Sequence, residues 1–210
     1  KRLLGDNHPY FATILNNLAE LYKFQGRYQE AEPLYQQSLA LIKRLLGDNH
    51  PYFATILNNL AELYKFQGRY QEAEPLYQQS LALIKRLLGD NHPYFATILN
   101  NLANLYKFQG RYQEAEPLYW DALALTKRLL GNNHPHIAEI LNNLANLYES
   151  QGWYQEAEKL YLQALEISDR TLGSNHPQTI DIRKNLEELR EKITASNTYP
   201  TADSTHSKER

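Results

Sequence analysis

The side chains of this sequence that are best suited to chemistry recur at a fixed interval and do not cluster. His8, His50, His92, His134 and His176 stand 42 residues apart, and a row of imidazoles raises the question of a metal. Zinc needs its ligands about 2 Å away, whereas packed helical layers lie roughly 8–10 Å apart, so histidines placed one per layer cannot share an ion. Only His136, two residues after His134, adds local density, and two ring nitrogens without a third ligand do not make a zinc centre. No metal is expected. Each of the five histidines sits in an "NHP" tripeptide, which suits a residue that starts a helix. Catalytic chemistry has no better footing. The sequence has no cysteine, no Gly-rich phosphate loop, and no hydroxyl paired with a base at a meaningful spacing. Neither enzymatic activity nor a cofactor is expected.

The elements that would carry these residues follow from the repeat. Lys1, Lys43, Lys85 and Lys127 begin four units of 42 residues, and a partial fifth begins at Asp169; the first two units are identical letter for letter. The third departs from the first at Asn104, Trp120, Asp121, Ala122 and Thr126, which replace Glu20, Gln36, Gln37, Ser38 and Ile42. Within a unit, Pro9 to Gln25 places Phe11, Ile14, Leu15, Leu18 and Tyr22 on one helical face. Gly26 interrupts this helix A. A second stripe, Tyr28, Ala31, Tyr35, Ser38, Leu39, Ile42 and Leu46, then forms helix B, which ends at Gly47. "KRLLG" at the start of the chain reads as the tail of a helix B, so the sequence reads as a fragment of a longer chain. Pro33, Pro75 and Pro117 fall within helix B, so either that helix starts late or it is kinked.

Two antiparallel helices cannot bury both stripes alone, so the pairs must stack. Small residues such as Ala19, Ala31 and Ser38 would let neighbouring helices approach closely. The last helix, 177–193, keeps Ile180, Leu186, Leu189 and Ile193 among charged residues and reads as a solvating cap. The polar segment 194–210 reads as a disordered tail.

Composition narrows the partners. A net charge of -2 over 210 residues favours neither nucleic acid nor an acidic membrane surface. No apolar run approaches the roughly 18–20 residues that would cross a bilayer. The lack of cysteine agrees with a reducing compartment, and a cytoplasmic location is expected.

"LNNLAELY" followed by "QGRYQEAEPLYQQSLAL" resembles the tetratricopeptide repeat. The signature small and aromatic positions correspond to Leu18, Ala19, Tyr22, Gly26, Tyr28, Ala31, Tyr35 and Ser38. The resemblance spans residues 1 to about 193. The unit length and wording are similar to the kinesin-light-chain type, and to arrays attached to bacterial nucleotide-binding signalling proteins. The resemblance implies an all-α, right-handed α-solenoid of stacked antiparallel helix pairs with a C-terminal capping helix.

In such a solenoid the arc of helix A opposite its stripe lines the concave groove. Here that arc carries Thr13, Asn16, Glu20, Lys23 and Phe24; the matching rows are Thr55, Asn58, Glu62, Lys65 and Phe66, then Thr97, Asn100, Asn104, Lys107 and Phe108, then Glu139, Asn142, Asn146, Glu149 and Ser150. The ladder Asn16, Asn58, Asn100 and Asn142 has the strongest binding chemistry, because an amide both donates and accepts and can hold any extended backbone. The competing reading is that each Asn bonds water or its neighbour in the next repeat. Asn104 and Asn146 make the later groove richer in amides. Lys23, Lys65 and Lys107 offer cations, and Phe24, Phe66 and Phe108 offer apolar anchors unless they pack over the A/B turn. Trp120 and Trp153 read as packing at divergent junctions. The expected function is a non-enzymatic interaction module that binds an extended peptide or protein segment. Two further readings stay open: a spacer or self-assembling scaffold, arising by recent duplication or repeat engineering and associating through the uncapped N-terminal end, or the sensor arm of a larger signalling ATPase.

Overall fold

The computed structural model describes the backbone of residues 8–198 and the side chains of residues 8–195. The described residues form helices α1 (Pro9–Phe24), α2 (Tyr28–Leu46), α3 (Pro51–Phe66), α4 (Tyr70–Leu88), α5 (Pro93–Phe108), α6 (Tyr112–Leu130), α7 (Pro135–Ser150), α8 (Tyr154–Leu172) and α9 (Pro177–Thr198), with no strand among them. The segment "KRLLG" lies outside the described residues.

The histidines are helix caps. His50 has extended backbone dihedrals, and its ring Nδ1 accepts the backbone N–H of Tyr52 at 3.1 Å. The same bond joins Tyr10 to His8 and Tyr94 to His92 at 3.1 Å, His136 to His134 at 3.3 Å, and Gln178 to His176 at 3.2 Å. Each bond satisfies one of the four orphan N–H groups of a helix start, and the proline that follows has no N–H to satisfy. A ring that accepts at Nδ1 carries its proton on Nε2. At the other end of the pair, Gly47 closes α2 with φ +84°, a left-handed conformation that side chains with a Cβ rarely adopt. α2 begins at Tyr28, so Pro33 lies inside the helix; helix B does not start late.

The described residues divide into two compact units, one holding α1–α6 and the other α7–α9. In the first, α1 pairs with α2, α3 with α4 and α5 with α6, while α2 also packs on α3 and α4 on α5. In the second, α7 pairs with α8, which packs on α9. Small residues line the tightest approaches: Ala19, Ala31 and Ser38 are fully buried, and Ser38 Oγ donates to the Ala12 carbonyl at 2.7 Å. Tyr35, Tyr77, Tyr119 and Tyr161 fill the interior of each pair, and an aromatic burial of this kind contributes about 1.5–3 kcal/mol.

Two expected faces need correction. The periodicity assigns helix A one buried stripe, but α3 buries Asn58, Ala61 and Leu63 as well as the stripe residues Phe53, Ile56, Leu57, Leu60 and Tyr64. A helix A inside the stack touches its own helix B, the preceding pair and the following pair, so little of it remains free. In α9 the buried set is Thr179, Ile182, Leu186 and Leu189, while Ile180 is exposed. Ile180 occupies the place of Ala12, which meets α2; α9 has no following helix B among the described residues, so that side is open. α9 also continues to Thr198, past the boundary expected at 193; residues 199–210 lie outside the described residues.

Candidate partner-binding face

The periodicity puts the amide ladder on an open arc, whereas the structure places most of it inside. Asn16, Asn58 and Asn100 are 5%, 4% and 3% exposed. Their amides are used between layers. Asn59 Nδ2 donates to Asn16 Oδ1, and Asn101 Nδ2 to Asn58 Oδ1, both at 3.1 Å, while Asn58 Nδ2 donates to Asn59 Oδ1 at 3.2 Å. In the second unit Asn185 donates to the half-buried Asn142 at 2.9 Å. The bond to the neighbour in the next repeat therefore describes the ladder. The physical reason is that Asn16, Asn58 and Asn142 face the following helix A of their own unit, where a buried polar group needs a partner.

The acid–base row is also committed between layers. Lys23 Nζ lies 2.9 Å from Glu20 and 2.6 Å from Glu62, and Tyr35 donates to Glu20. Burial works against the Lys23 ammonium, but Glu62 and then Glu20 outweigh it and hold its pKa above the ordinary value. Lys65 is buried with Glu62 at 4.0 Å. Where Asn104 replaces the glutamate, it accepts from Tyr119 at 2.7 Å. Asn146 donates to the Asn142 carbonyl of its own helix at 2.8 Å. Glu149 takes the lysine position in the second unit, accepting from Tyr161 at 2.8 Å and pairing with Lys192 at 2.6 Å.

The phenylalanines remain accessible. Phe24, Phe66 and Phe108 are 91%, 52% and 56% exposed, one at the last position of each helix A in the first unit. Lys65 Nζ sits 4.8 Å from the Phe66 ring and 5.9 Å from the Phe108 ring, and Lys107 Nζ 5.2 Å from Phe108. The flanking amines thus hold the rings by cation–π attraction. Phe66 also stacks on Tyr28 of the preceding A/B turn, with centroids 6.4 Å apart, so turn packing and exposure coexist at that ring.

Sequence reasoning missed a second set of inter-layer contacts. Glu32 accepts from Arg69 at 2.7 Å and from Tyr64 at 3.0 Å, and Glu74 does the same for Arg111 at 2.7 Å and Tyr106 at 3.1 Å. Each guanidinium lies 4.0 Å over the tyrosine ring of its own repeat. Trp153 stands in the arginine position and packs on Tyr148 at 5.3 Å, so it replaces a cation–π contact with a ring–ring one. Arg190 takes the tyrosine position in α9 and pairs with Glu158 at 2.7 Å. The signal was present in the repeated offset between Glu32 and Arg69, but only the stacking distance reveals it.

Layer-to-layer bonding of this regularity is what a tandem helical array requires, and the tetratricopeptide repeat profile matches residues 1–44, 10–86, 52–128, 94–168 and 136–193. The chain belongs to the tetratricopeptide repeat family. The "nearly identical TPR-like repeats" of a putative kinesin light chain from Podosopora anserina are 29% identical over 92% of this chain and 99% of that one, with a TM-score of 0.69. A single-substitution form of those repeats gives 30% identity over 91% and 97%, also with a TM-score of 0.69. BtubC (BKLC) from P. vanneervenii shares the fold with a TM-score of 0.70, at 23% identity over 96% of this chain and 88% of that one. No curated protein matches the chain. Repeats of this family are generally protein–protein interaction scaffolds and typically non-enzymatic. No helix among the described residues is long and apolar enough to cross a membrane.

Proposed function

We propose that this tetratricopeptide array binds an extended segment of a protein partner along the helix A side of its first unit. The observation that carries this reading is the row Phe24, Phe66 and Phe108. These rings stay at least half exposed on helices whose other large apolar residues are mostly covered wherever a preceding repeat is present. Rings repeated once per layer form a patch, not scattered single exposures, and patches of this kind mark contact surfaces. A partner fits by laying apolar side chains between successive rings. Lys65 and Lys107 position the rings, Lys23 ties the layers beneath them, and Asn104 offers a half-buried amide to the partner backbone. Asn16, Asn58, Asn100 and Asn142 act mainly by fixing the spacing of the layers.

A peptide array probed with the full chain tests this. Phe66→Ala/Phe108→Ala should weaken a captured peptide about tenfold or more, near 1.4 kcal/mol, with helicity unchanged. Asn100→Ala/Asn142→Ala should weaken binding only in step with lost stability. Undiminished binding by the phenylalanine double mutant would reject the aromatic row as the contact surface.

A further inference from the structure

We infer that the Glu62 carboxylate has two seats, Lys23 across the layer boundary and Tyr77 within its own pair, and that exchange between them makes the Lys23 contact a releasable latch between the α1/α2 and α3/α4 layers. The two pairs are identical in sequence, yet the same glutamate is used differently in each. In the first pair Tyr35 donates to Glu20, fifteen residues before it. In the third, Tyr119 donates to Asn104, again fifteen residues before it, at 2.7 Å. In the second the corresponding bond is not made. Glu62 accepts from Lys23 of the preceding layer at 2.6 Å, with Lys65 of its own helix 4.0 Å away, and the fully buried Tyr77 hydroxyl has no hydrogen-bond partner.

A buried hydroxyl without a partner is costly, and the residue that answers it in both sister pairs is the one Lys23 draws away here. Glu62 stays close: burial raises the Tyr77 pKa, and the Glu62 charge raises it further. Exchanging seats trades an ion pair for a charge-assisted hydrogen bond to an orphaned group. Lys23 meanwhile keeps Glu20 at 2.9 Å, so neither charge is left alone. Two arrangements that each satisfy their buried groups form a bistable element. The layers do not separate when it switches, because Asn59 still donates to Asn16 at 3.1 Å and Arg69 to Glu32 at 2.7 Å. What opens is the Lys23 contact alone. In the third pair the neutral Asn104 already holds Tyr119, so no second seat stands open there.

Urea unfolding of the full chain tests the latch. Tyr77→Phe removes no bond, so its midpoint should stay at or above that of the unmodified protein, whereas Tyr119→Phe loses the bond to Asn104 and should lower it. A double-mutant cycle of Lys23→Met and Tyr77→Phe reads the exchange itself. If Glu62 turns to Tyr77 once Lys23 is gone, Lys23→Met should lower the folding equilibrium constant about fivefold more in the Tyr77→Phe background than alone, the size of one net hydrogen bond. Lys23→Arg keeps the cation and should show no such difference. A crystal structure of the Lys23→Met protein should place Glu62 within about 3.0 Å of the Tyr77 hydroxyl. A Tyr77→Phe midpoint lowered as far as that of Tyr119→Phe, additive effects of Lys23→Met and Tyr77→Phe, or a Glu62 that remains away from Tyr77 in the crystal would each overturn the inference.

Discussion

Asn58→Ala measures how much of the array rests on its amide ladder. Asn58 accepts from Asn101 of the next layer at 3.1 Å and donates to Asn59 at 3.2 Å, with 4% of its surface exposed. A buried hydrogen bond contributes about 1 kcal/mol net, and orphaning its partner costs about 1–3 kcal/mol. Two bonds are lost, but Asn59 and Asn101 are only half-buried and water can recover part of their capacity, so the expected loss is about 2 kcal/mol. Asn101→Ala should cost about 1 kcal/mol, since it removes one of these bonds. A double-mutant cycle should then return a coupling of about 0.5–1.5 kcal/mol between residues 58 and 101. The assay is urea unfolding followed by helicity, with the curves fitted to a nearest-neighbour scheme because a stack of repeats need not unfold in one step. In such a fit the loss should fall on the interface between the α3/α4 and α5/α6 pairs. A destabilisation under about 0.5 kcal/mol, or a coupling indistinguishable from zero, would refute the view that the ladder joins layers and would make these amides candidate ligand contacts again.

Four further outcomes follow from the same geometry. Pro33→Lys should raise the urea midpoint, because Pro33 lies inside α2 where proline costs up to about 3 kcal/mol, less about 0.4–1 kcal/mol regained from the stiffer unfolded chain; Lys159 already fills this place in α8. Gly89→Ala should lower the unfolding free energy by about 1 kcal/mol or more, and the urea midpoint with it, since Gly89 closes α4 at φ +82° and a Cβ is strained there. Stability should fall above about pH 10. Burial, reinforced by Glu20 for Tyr35 and by Glu149 for Tyr161, raises the pKa of Tyr35, Tyr77, Tyr119 and Tyr161. The folded chain therefore keeps protons that the unfolded chain releases, and phenolate absorbance should appear together with unfolding. At the acid end, burial and then His136 lower the His134 pKa below 6.5. The contribution of His134 is full above that value and lost as pH falls through its lower folded value, so His136→Gln should reduce the acid sensitivity of the α7–α9 unit.

The helices were legible because their signals are local. The "NHP" tripeptide marks each helix A start, a glycine marks each helix B end, and the predicted 9–25 differs from the observed α1 by one residue at its C-terminal side. The capping role of the histidines was legible for the same reason, since the acceptor and the N–H it binds are two residues apart. Burial was not legible, and α1 and α3 show why. Their sequences are identical, PYFATILNNLAELYKF, yet Ile14 and Leu21 are exposed while Ile56 and Leu63 are sealed. No property of the sixteen residues can encode that difference, because it comes from the pair that precedes α3. A helical wheel assigns one core face to a helix, whereas a helix inside a stack has three neighbours. The arc left over as solvent-facing was therefore the arc that meets the next layer, and residues chosen there for binding chemistry were largely the bonds between layers. The phenylalanines are the exception: they sit at the last position of helix A, where the chain turns away, and Tyr28 of the preceding layer covers only part of the Phe66 ring. On the helix A side of this array, accessible apolar rings such as Phe66 and Phe108 stand at helix ends, because mid-helix amides such as Asn16 and Asn58 are already bonded to the following layer.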